Sequence, residues 1–490
     1  MRAYFGPSAL SFAAADRTRI PAVAASRATI TFASASFLLL VAGFQQNFWR
    51  ATESSLFASN QKDTEALVIG RMVWSRQHGF FAGAGLLGFV GNGAAVVTFD
   101  TSELWGALSF DFQTEAYLKE IPIRSFSPYF SHSGLQGMAF SALDTILTRA
   151  TPAFKLSLFP TLTSALVAAT YVLLLLWLRR EFGIGAALLC LLVILGSPWL
   201  TAFSRNIYWS LWLYLLPPLA IGLVLSTRLG RRNQNRRLAI VAFVTLLVRF
   251  LSGYEFATVT AAMALAPVLY YSIRDTQPVR VFLSRFGLLV GAILAALIVS
   301  LAVLTLQITA VTGSARNMAN HIRFAIGRRA SGDPSKFPPV YADALKAKAF
   351  GVLRGYLLDP VDRQADRKRL AALRWLLSRR QGELVLWIVL AAGWAAIRTA
   401  WLPADRRFRP LALAAATLCA LLGILTWLVI FKAHSFIHVH VNPLMFHLLY
   451  LPLGAALVSF AVKDAALLSA RTLLRFWPSR RAERPGTAGP

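Results

Sequence analysis

The 490-residue sequence is poor in cysteine and in acidic side chains. Its two cysteines, Cys190 and Cys419, fall inside apolar runs, so neither a disulfide framework nor a cysteine metal site is expected. Charged residues make up 15% of the chain and hydrophobic residues 56%, which excludes a soluble protein. A GxxxxGK(S/T) loop, a GxGxxG turn after a predicted strand and an HExxH helix are all lacking, so nucleotide binding, Rossmann chemistry and zinc proteolysis have no support.

Positive charge dominates the charged residues that remain. Lysine and arginine number 50 and aspartate and glutamate 22, which gives a formal net charge of +28. The arginines cluster between apolar runs, as is typical of the cytoplasmic loops of membrane proteins and not of a nucleic-acid-binding face. We therefore predict membrane lipids, and no nucleic acid, as partners. Residues 1–27 contain no evident cleavable signal peptide, so the first apolar run is interpreted as an anchor.

Apolar runs long enough to cross a bilayer recur along the chain. About 20 mostly apolar residues are needed to span roughly 30 Å of hydrocarbon. The sequence therefore predicts an all-α polytopic membrane protein with about ten transmembrane helices. The runs lie near residues 28–46, 156–178, 184–204, 208–226, 238–253, 255–273, 287–310, 383–400, 411–431 and 443–462.

The basic residues predict the orientation. With the amino terminus in the cytoplasm, the basic short loops all fall on the inner side. These loops contain Arg179, Arg180, the cluster from Arg228 to Arg237, Arg274, Arg280, Arg285, Arg406, Arg407 and Arg409. The predicted organisation is a cytoplasmic segment 1–27, a first transmembrane helix 28–46, a first extracytoplasmic loop 47–155, a transmembrane bundle 156–310, a basic extracytoplasmic loop 311–382, C-terminal transmembrane helices 383–462 and a cytoplasmic tail 463–490.

One further apolar segment, residues 80–99, is long enough to cross the membrane. If it crossed, every basic loop after it would move to the outside, against the charge rule. Five glycines also make it a poor helix. We interpret it as an interfacial or re-entrant segment.

An acidic pair, Asp63 and Glu65, opens a helical pattern that ends near Gly79. Its apolar positions suit an amphipathic helix lying on the membrane surface, with Asp63 at the amino-terminal end, where helix amides favour a carboxylate. Asp63 is then either a simple helix cap or a catalytic carboxylate held at the bilayer surface.

One span, a long outer loop with an early acidic pair and a surface helix ending in Met and Gly together resemble the GT-C superfamily of lipid-linked glycosyltransferases. This superfamily includes protein O-mannosyltransferases and the lipid A aminoarabinose transferase. Its members carry Asp-Glu, Asp-Asp, Glu-Asp or Asp-x-Asp early in the first outer loop, where this chain has Asp63 and Glu65. The D-T-E pattern departs from those forms and leaves open which acid is the base.

The resemblance implies a GT-C-like bundle in the bacterial cytoplasmic (inner) membrane, with its active site facing the extracytoplasmic side. It implies transfer of a sugar, with inversion, from a polyprenyl-phosphate donor to a cell-envelope glycan or lipid acceptor. The donor's leaving group departs without an acid, so the reaction needs a general base. Asp63 is the first choice for that base, and Glu65 is expected to orient the acceptor or to assist.

The donor phosphate requires cations or hydrogen-bond donors at the outer face. The residues predicted to bind this phosphate are Arg205, Arg249, Lys432, His434, His438 and His440. The cationic side chains could instead simply snorkel to the interface. The histidines could bind zinc, hydrogen-bond phosphate or acceptor, or lie at the membrane interface. No cofactor is firmly predicted, and a divalent metal is left open.

The acceptor-side candidates come from two polar segments. An aromatic, hydroxyl-rich stretch contains Tyr129, His132 and Gln136, and a polar break between two apolar runs contains Tyr254 and Glu255. Rings and hydroxyls suit sugar recognition, although these residues could equally pack the loop onto the bundle. The basic loop that includes Arg328 and Arg329 is expected to lie along anionic lipid or to form an entry path for an anionic substrate.

Two other function classes compete with this prediction. A transporter or flippase of a lipid-linked or anionic envelope precursor would show paired broken spans or internal symmetry, and neither is clear. An envelope-glycan polymerase or ligase would share the donor but would depend more on arginines and a histidine than on Asp63.

Overall fold

The computed structural model of the chain describes residues 26–99, 110–227, 230–361, 379–402 and 408–476. Most of the predicted cytoplasmic segment 1–27, Arg228, Arg406, Arg407 and the end of the predicted tail lie outside the described residues. The described chain is mostly helical.

The helices fall into four groups along the sequence. Helix α1 (Arg27–Gln46) is followed by a small domain of α2 (Ser54–Ser59), α3 (Lys62–His78), β1 (Leu87–Gly91), α4 (Phe110–Leu118), β2 (Ser125–Tyr129) and α5 (Leu135–Ile146). The next group is α6 (Pro152–Phe182), α7 (Ile184–Leu195), α8 (Pro198–Phe203), α9 (Trp212–Ser226), α10 (Arg231–Ser252), α11 (Ala257–Arg274) and α12 (Val279–Thr312). Short helices α13 (Arg316–Ile326), α14 (Pro339–Lys346) and α15 (Ala349–Leu358) follow. The last group is α16 (Gln381–Arg398), α17 (Phe408–Ile430), α18 (Lys432–Ile437) and α19 (Leu451–Phe476), the last preceded by a π turn at Phe446–Tyr450.

Six helical segments among the described residues are long and apolar enough to cross a membrane. They are α1, α6, α12, α16, α17 and the segment Phe446–Thr472. This finding agrees with the sequence-based prediction of a helical membrane protein with several spans. The predicted single run 184–204 is broken instead, because Ser197 caps a new helix by accepting a hydrogen bond from Leu200 N (3.0 Å) and Pro198 occupies its first position.

The two ends of the bundle differ in which loops they gather. At one end, Arg179 donates to Ala28 O (3.2 Å) and Arg274 pairs with Glu181 (3.2 Å), so the start of α1 and the ends of α6 and α11 lie together. At the other end, Gln307 of α12 donates to Ala84 O (2.9 Å) and Ser133 O (3.0 Å) of the first long loop. The basic short loops and the first long loop therefore lie at opposite ends.

As the sequence analysis predicted, residues 80–99 do not form a transmembrane helix. They contain a short 3-10 turn and strand β1, which is fully buried and pairs antiparallel with β2, with Leu87 opposite Tyr129. Close packing requires glycine here, since a Cβ on Gly88 would lie 2.4 Å from Ser127 O. The buried guanidinium of Arg71 donates to the carbonyls of Phe80 and Ala82, which satisfies the turn. This small sheet departs from the all-α prediction.

Helix α3 has the predicted bounds but not the predicted surroundings. It is buried almost continuously from Ala66 to Val73 and packs against β1, α4 and α5. Its polar face is covered as well, since Arg76 bonds Asp144 of α5 (2.7 Å) and Lys155 of α6 bonds the same carboxylate (2.9 Å). The helix is thus the central element of the small domain and not an amphipathic surface helix. Its first turn, with Asp63, and its last two residues, Gln77 and His78, remain accessible.

Candidate functional site

The acidic pair lies on that accessible first turn. Asp63 is exposed and accepts a local hydrogen bond from Thr64 N (2.9 Å). The cap position itself is held by Gln61 in a left-handed conformation (φ 56°), so Asp63 does not serve as the helix cap. Glu65 is half-buried and accepts a hydrogen bond from Ile207 N (3.2 Å). Burial raises the pKa of Glu65 to about 7, although the Ile207 N–H and the charge of Arg205 oppose the rise.

The loop between α8 and α9 is held against the start of α3. Asn206 donates to Gln61 O (3.2 Å), and its own carbonyl oxygen accepts from the backbone N–H groups of Tyr208 and Trp209 (3.0 Å each). Trp209 Nε1 in turn donates to the Gln61 side chain (3.3 Å). These bonds fix both Glu65 and Tyr208 relative to the acidic pair.

A buried hydrogen-bond chain joins three distant segments. His132 Nδ1 accepts from Gly134 N (3.2 Å), so in the neutral ring Nε2 carries the proton and donates to Tyr208 Oη (3.1 Å). The Tyr208 hydroxyl then donates to the carboxylate of Glu255 (3.1 Å). Gln136 also bonds Tyr208 O (3.3 Å). The structure therefore brings the predicted acceptor residues His132, Gln136 and Glu255 together through Tyr208, which the sequence reasoning missed because nothing in its spacing links it to them.

Two predicted acceptor residues lie beside this chain in different roles. Tyr129 is buried at the end of β2, with its ring centroid 5.7 Å from that of His132. Tyr254 packs instead against the apolar cluster that contains Phe130 and Leu304. Tyr129 thus borders the buried chain, whereas Tyr254 forms part of the packing below it.

Two of the predicted phosphate-binding cations donate hydrogen bonds to backbone carbonyls. Arg249 is buried, donates to Gly253 O (2.8 Å) and Glu255 O (2.6 Å), and lies over the Tyr214 ring (3.6 Å to the centroid). Lys432 donates to Leu345 O (2.9 Å) and Ala347 O (2.7 Å) at the end of α14. Both side chains hold turns in place.

Arg205 lies against the Phe57 ring (4.3 Å to the centroid) and acts electrostatically on Glu65. This predicted cation therefore sits on the acidic pair's side of the site, with one aromatic neighbour.

The histidine cluster consists of His434, His438 and His440. Their neighbouring ring centroids lie 4.2 Å and 5.6 Å apart. Burial lowers the pKa of His438 to about 3 and also lowers that of His434, and the nearby Arg329 contributes to both shifts, so the rings are neutral. Within the ranges that the structure describes, no group of three or more His, Cys, Asp or Glu side chains could hold a metal ion.

Arg329 is a cation that acts through its charge on the histidine cluster and on His132 and Glu255. It lies on a π turn, Gly327–Ser331, that contacts α18. Burial lowers the pKa of His132 to about 4, and the charge of Arg329 contributes to that shift as it does for His438. It also acts on the Glu255 carboxylate. The sequence analysis assigned Arg329 only to a basic loop, because no local pattern predicts that a π turn brings its charge near these groups.

Asp63 interacts through its charge with one residue of the histidine cluster. Burial lowers the pKa of His440, and the charge of the Asp63 carboxylate opposes this shift, so the two groups interact electrostatically. Asp63, His440, His438, Arg329 and Glu255 are linked by these electrostatic interactions, and we call this group of residues the vestibule. Comparisons of this chain with protein-family models, with curated proteins and with solved structures give no match.

Proposed function

We propose that the protein is an integral membrane glycosyltransferase of the GT-C type, with about ten spans in a bacterial cytoplasmic membrane. It transfers a sugar from a polyprenyl-phosphate donor to a cell-envelope glycan or lipid at the extracytoplasmic face. The observation that supports this most directly is the vestibule, where the exposed carboxylate of Asp63 interacts electrostatically with His440, and His440 and Arg329 with His438.

In the proposed reaction Asp63 is the general base. It takes the proton of the acceptor hydroxyl as that oxygen forms a bond to the anomeric carbon and the bond to the phosphate oxygen breaks. The electron pair of the broken bond leaves with polyprenyl phosphate, and the single displacement inverts the anomeric carbon. Arg329 and the neutral imidazoles His434 and His438 stabilise the phosphate that departs.

In the same proposal Glu65 is a positioning residue. Its hydrogen bond to Ile207 N holds the loop that carries Tyr208, and its raised pKa leaves it partly protonated near neutral pH. Asp63, which makes only a local hydrogen bond, is free to meet the acceptor.

Two variants in purified protein test these roles. Asp63→Asn should lower sugar transfer by about 10² to 10⁴, the usual contribution of a general base, while donor binding is retained. Glu65→Gln keeps an acceptor for Ile207 N and should retain most of the rate. The donor is identified beforehand by mass spectrometry of copurified lipid. Unchanged turnover in both variants would discredit the proposal, and loss only in Glu65→Gln would exchange the two roles.

A second candidate is an envelope-glycan polymerase or ligase that uses the same donor. The observation that favours it is the grouping of Arg329 with His132, His434 and His438. In that case Arg329→Gln would abolish transfer and Asp63→Asn would leave it nearly intact.

A further inference from the structure

A cavity of about 440 Å³ lies in the small domain, apart from the vestibule. Its walls include Gly93, Ala95 and Val97 from the segment after β1, Phe126 and Pro128 of β2, and Val311. This volume is within the range of ligand sites, roughly 300 to 1,000 Å³. Since the walls are mostly small and apolar, an aliphatic chain fits them better than a sugar does.

The position of the cavity indicates where such a chain would come from. Val311 lies at the end of α12, one of the six helices long and apolar enough to cross a membrane. That helix exposes large apolar side chains, including Leu306 at 70% and Ile298 at 65% exposure. The cavity therefore lies at the end of a helix that is itself long and apolar enough to cross a membrane.

Arg124 supplies a charge at the same site. Its side chain lines the cavity and is exposed, and no acidic side chain in the described ranges pairs with it. An exposed arginine beside an apolar cavity at the end of a membrane helix complements an amphiphile with an anionic headgroup.

Strand β2 connects this cavity to the vestibule. Phe126 and Pro128 line the cavity, and Tyr129 ends the strand beside His132. Three residues of strand lie between Ser125 and Tyr129, which are roughly 13 Å apart at the usual rise. Arg124 lies near the last turn of α3, since Ile123 N donates to Gln77 Oε1 (2.9 Å), whereas Asp63 lies on the first turn of that helix.

We infer that this cavity binds the apolar chain of an anionic membrane lipid whose headgroup lies at Arg124. This binding does not depend on the proposed function.

The test is photocrosslinking in phosphatidylcholine nanodiscs that contain phosphatidylglycerol with a diazirine in its acyl chain. Crosslinks are expected at residues 93–97 and Val311. A Cβ on Gly93 meets nothing within 4 Å, so Gly93→Trp should fill the cavity and abolish these crosslinks. Gly185→Trp, at an equally open glycine outside the cavity, is the matched control and should leave them unchanged. Arg124→Gln should weaken them roughly fivefold, the contribution of one basic residue near anionic lipid.

Crosslinks confined to the outer surface of α12, or equal in Gly93→Trp and wild type, would overturn the inference. Equal labelling by a zwitterionic phosphatidylcholine probe would do the same. The measurement is repeated in Asp63→Asn, where labelling should persist although transfer is lost. A failure of lipid binding is thereby distinguished from a failure of the proposed chemistry.

Discussion

The two ends of the helix bundle both carry buried charge, but they differ in how that charge is satisfied. At the end with the basic loops, Glu181 is 7% exposed and accepts from Tyr270 (2.9 Å), Arg274 (3.2 Å) and Arg180 (3.3 Å). At the vestibule, Asp63 makes one local hydrogen bond among the described residues, and Arg329 acts through its charge on imidazoles and on the Glu255 carboxylate. The first arrangement is closed and suits stability, whereas the second leaves charge available to a ligand.

The largest effect on stability is expected from Glu181→Gln, which tests the difference between the two ends. Removing one charge from a buried network leaves its partners uncompensated, so we expect a loss of about 3–5 kcal/mol in the free energy of unfolding. Thermal unfolding in a mild detergent measures it, and transfer per folded molecule should stay constant. A large fall in specific activity with normal stability would show that the basic end also takes part in function.

The opposite outcome is expected for Arg329→Gln. Because this guanidinium has no described acidic partner to leave unpaired, stability should change little. Sugar transfer should fall about 10- to 100-fold, the effect of removing one charged hydrogen bond to phosphate. Arg249→Gln is the matched control, since Arg249 is bonded to the Gly253 and Glu255 carbonyls and should lose stability first. Equal effects in the two variants would remove the distinction between a positioned ligand and a structural cation.

The smallest expected effect concerns pH and Glu65. Burial raises the pKa of Glu65 from 4.5 to about 7, so the folded state binds more protons than the unfolded state between these values. The stabilisation from this group is therefore complete below pH 4.5 and is lost as the pH rises through about 7.

Unfolding midpoints at pH 5 and pH 8 measure this linkage as the difference between wild type and Glu65→Gln, which cancels the histidines that titrate in both. Wild type should lose more stability than the variant over this interval. The same loss in both proteins would show that the carboxyl group is ionised throughout.

Sequence periodicity predicts the membrane class and the ends of most long helices. Apolar length and the positions of the arginines are local properties of the chain. Helix α6 extends beyond the predicted run by four residues at each end, α12 begins eight residues before its run, and α17 begins three residues before its run. Contacts between distant segments are not local, and the surroundings of α3 were missed for that reason. Its apolar face was visible, but the cover over its polar face comes from Asp144 and Lys155.

The candidate site shows the same difference between what local sequence patterns predict and what contacts between distant segments decide. The sequence analysis chose Asp63, His132, Glu255 and the histidines by residue type and by their expected end of the bundle. The structure links His132 to Glu255 by hydrogen bonds through Tyr208, and links the other residues through their charges. The sequence analysis did not identify Tyr208, because a tyrosine in an aromatic membrane segment has no distinguishing neighbours in sequence. Whether Arg249 is a ligand or a structural cation also depends on backbone carbonyls that only folding brings near.

The break between α7 and α8 has a consequence for depth. Helix α7 has 12 residues and therefore rises about 18 Å, well short of the roughly 30 Å of hydrocarbon in a bilayer. The remaining thickness on that side of the bundle must be filled by α8 and the loop that carries Asn206 and Tyr208. The floor of the vestibule would then lie below the level of the lipid headgroups. The phosphate of a polyprenyl donor would reach Arg329 while its tail stays in the hydrocarbon core.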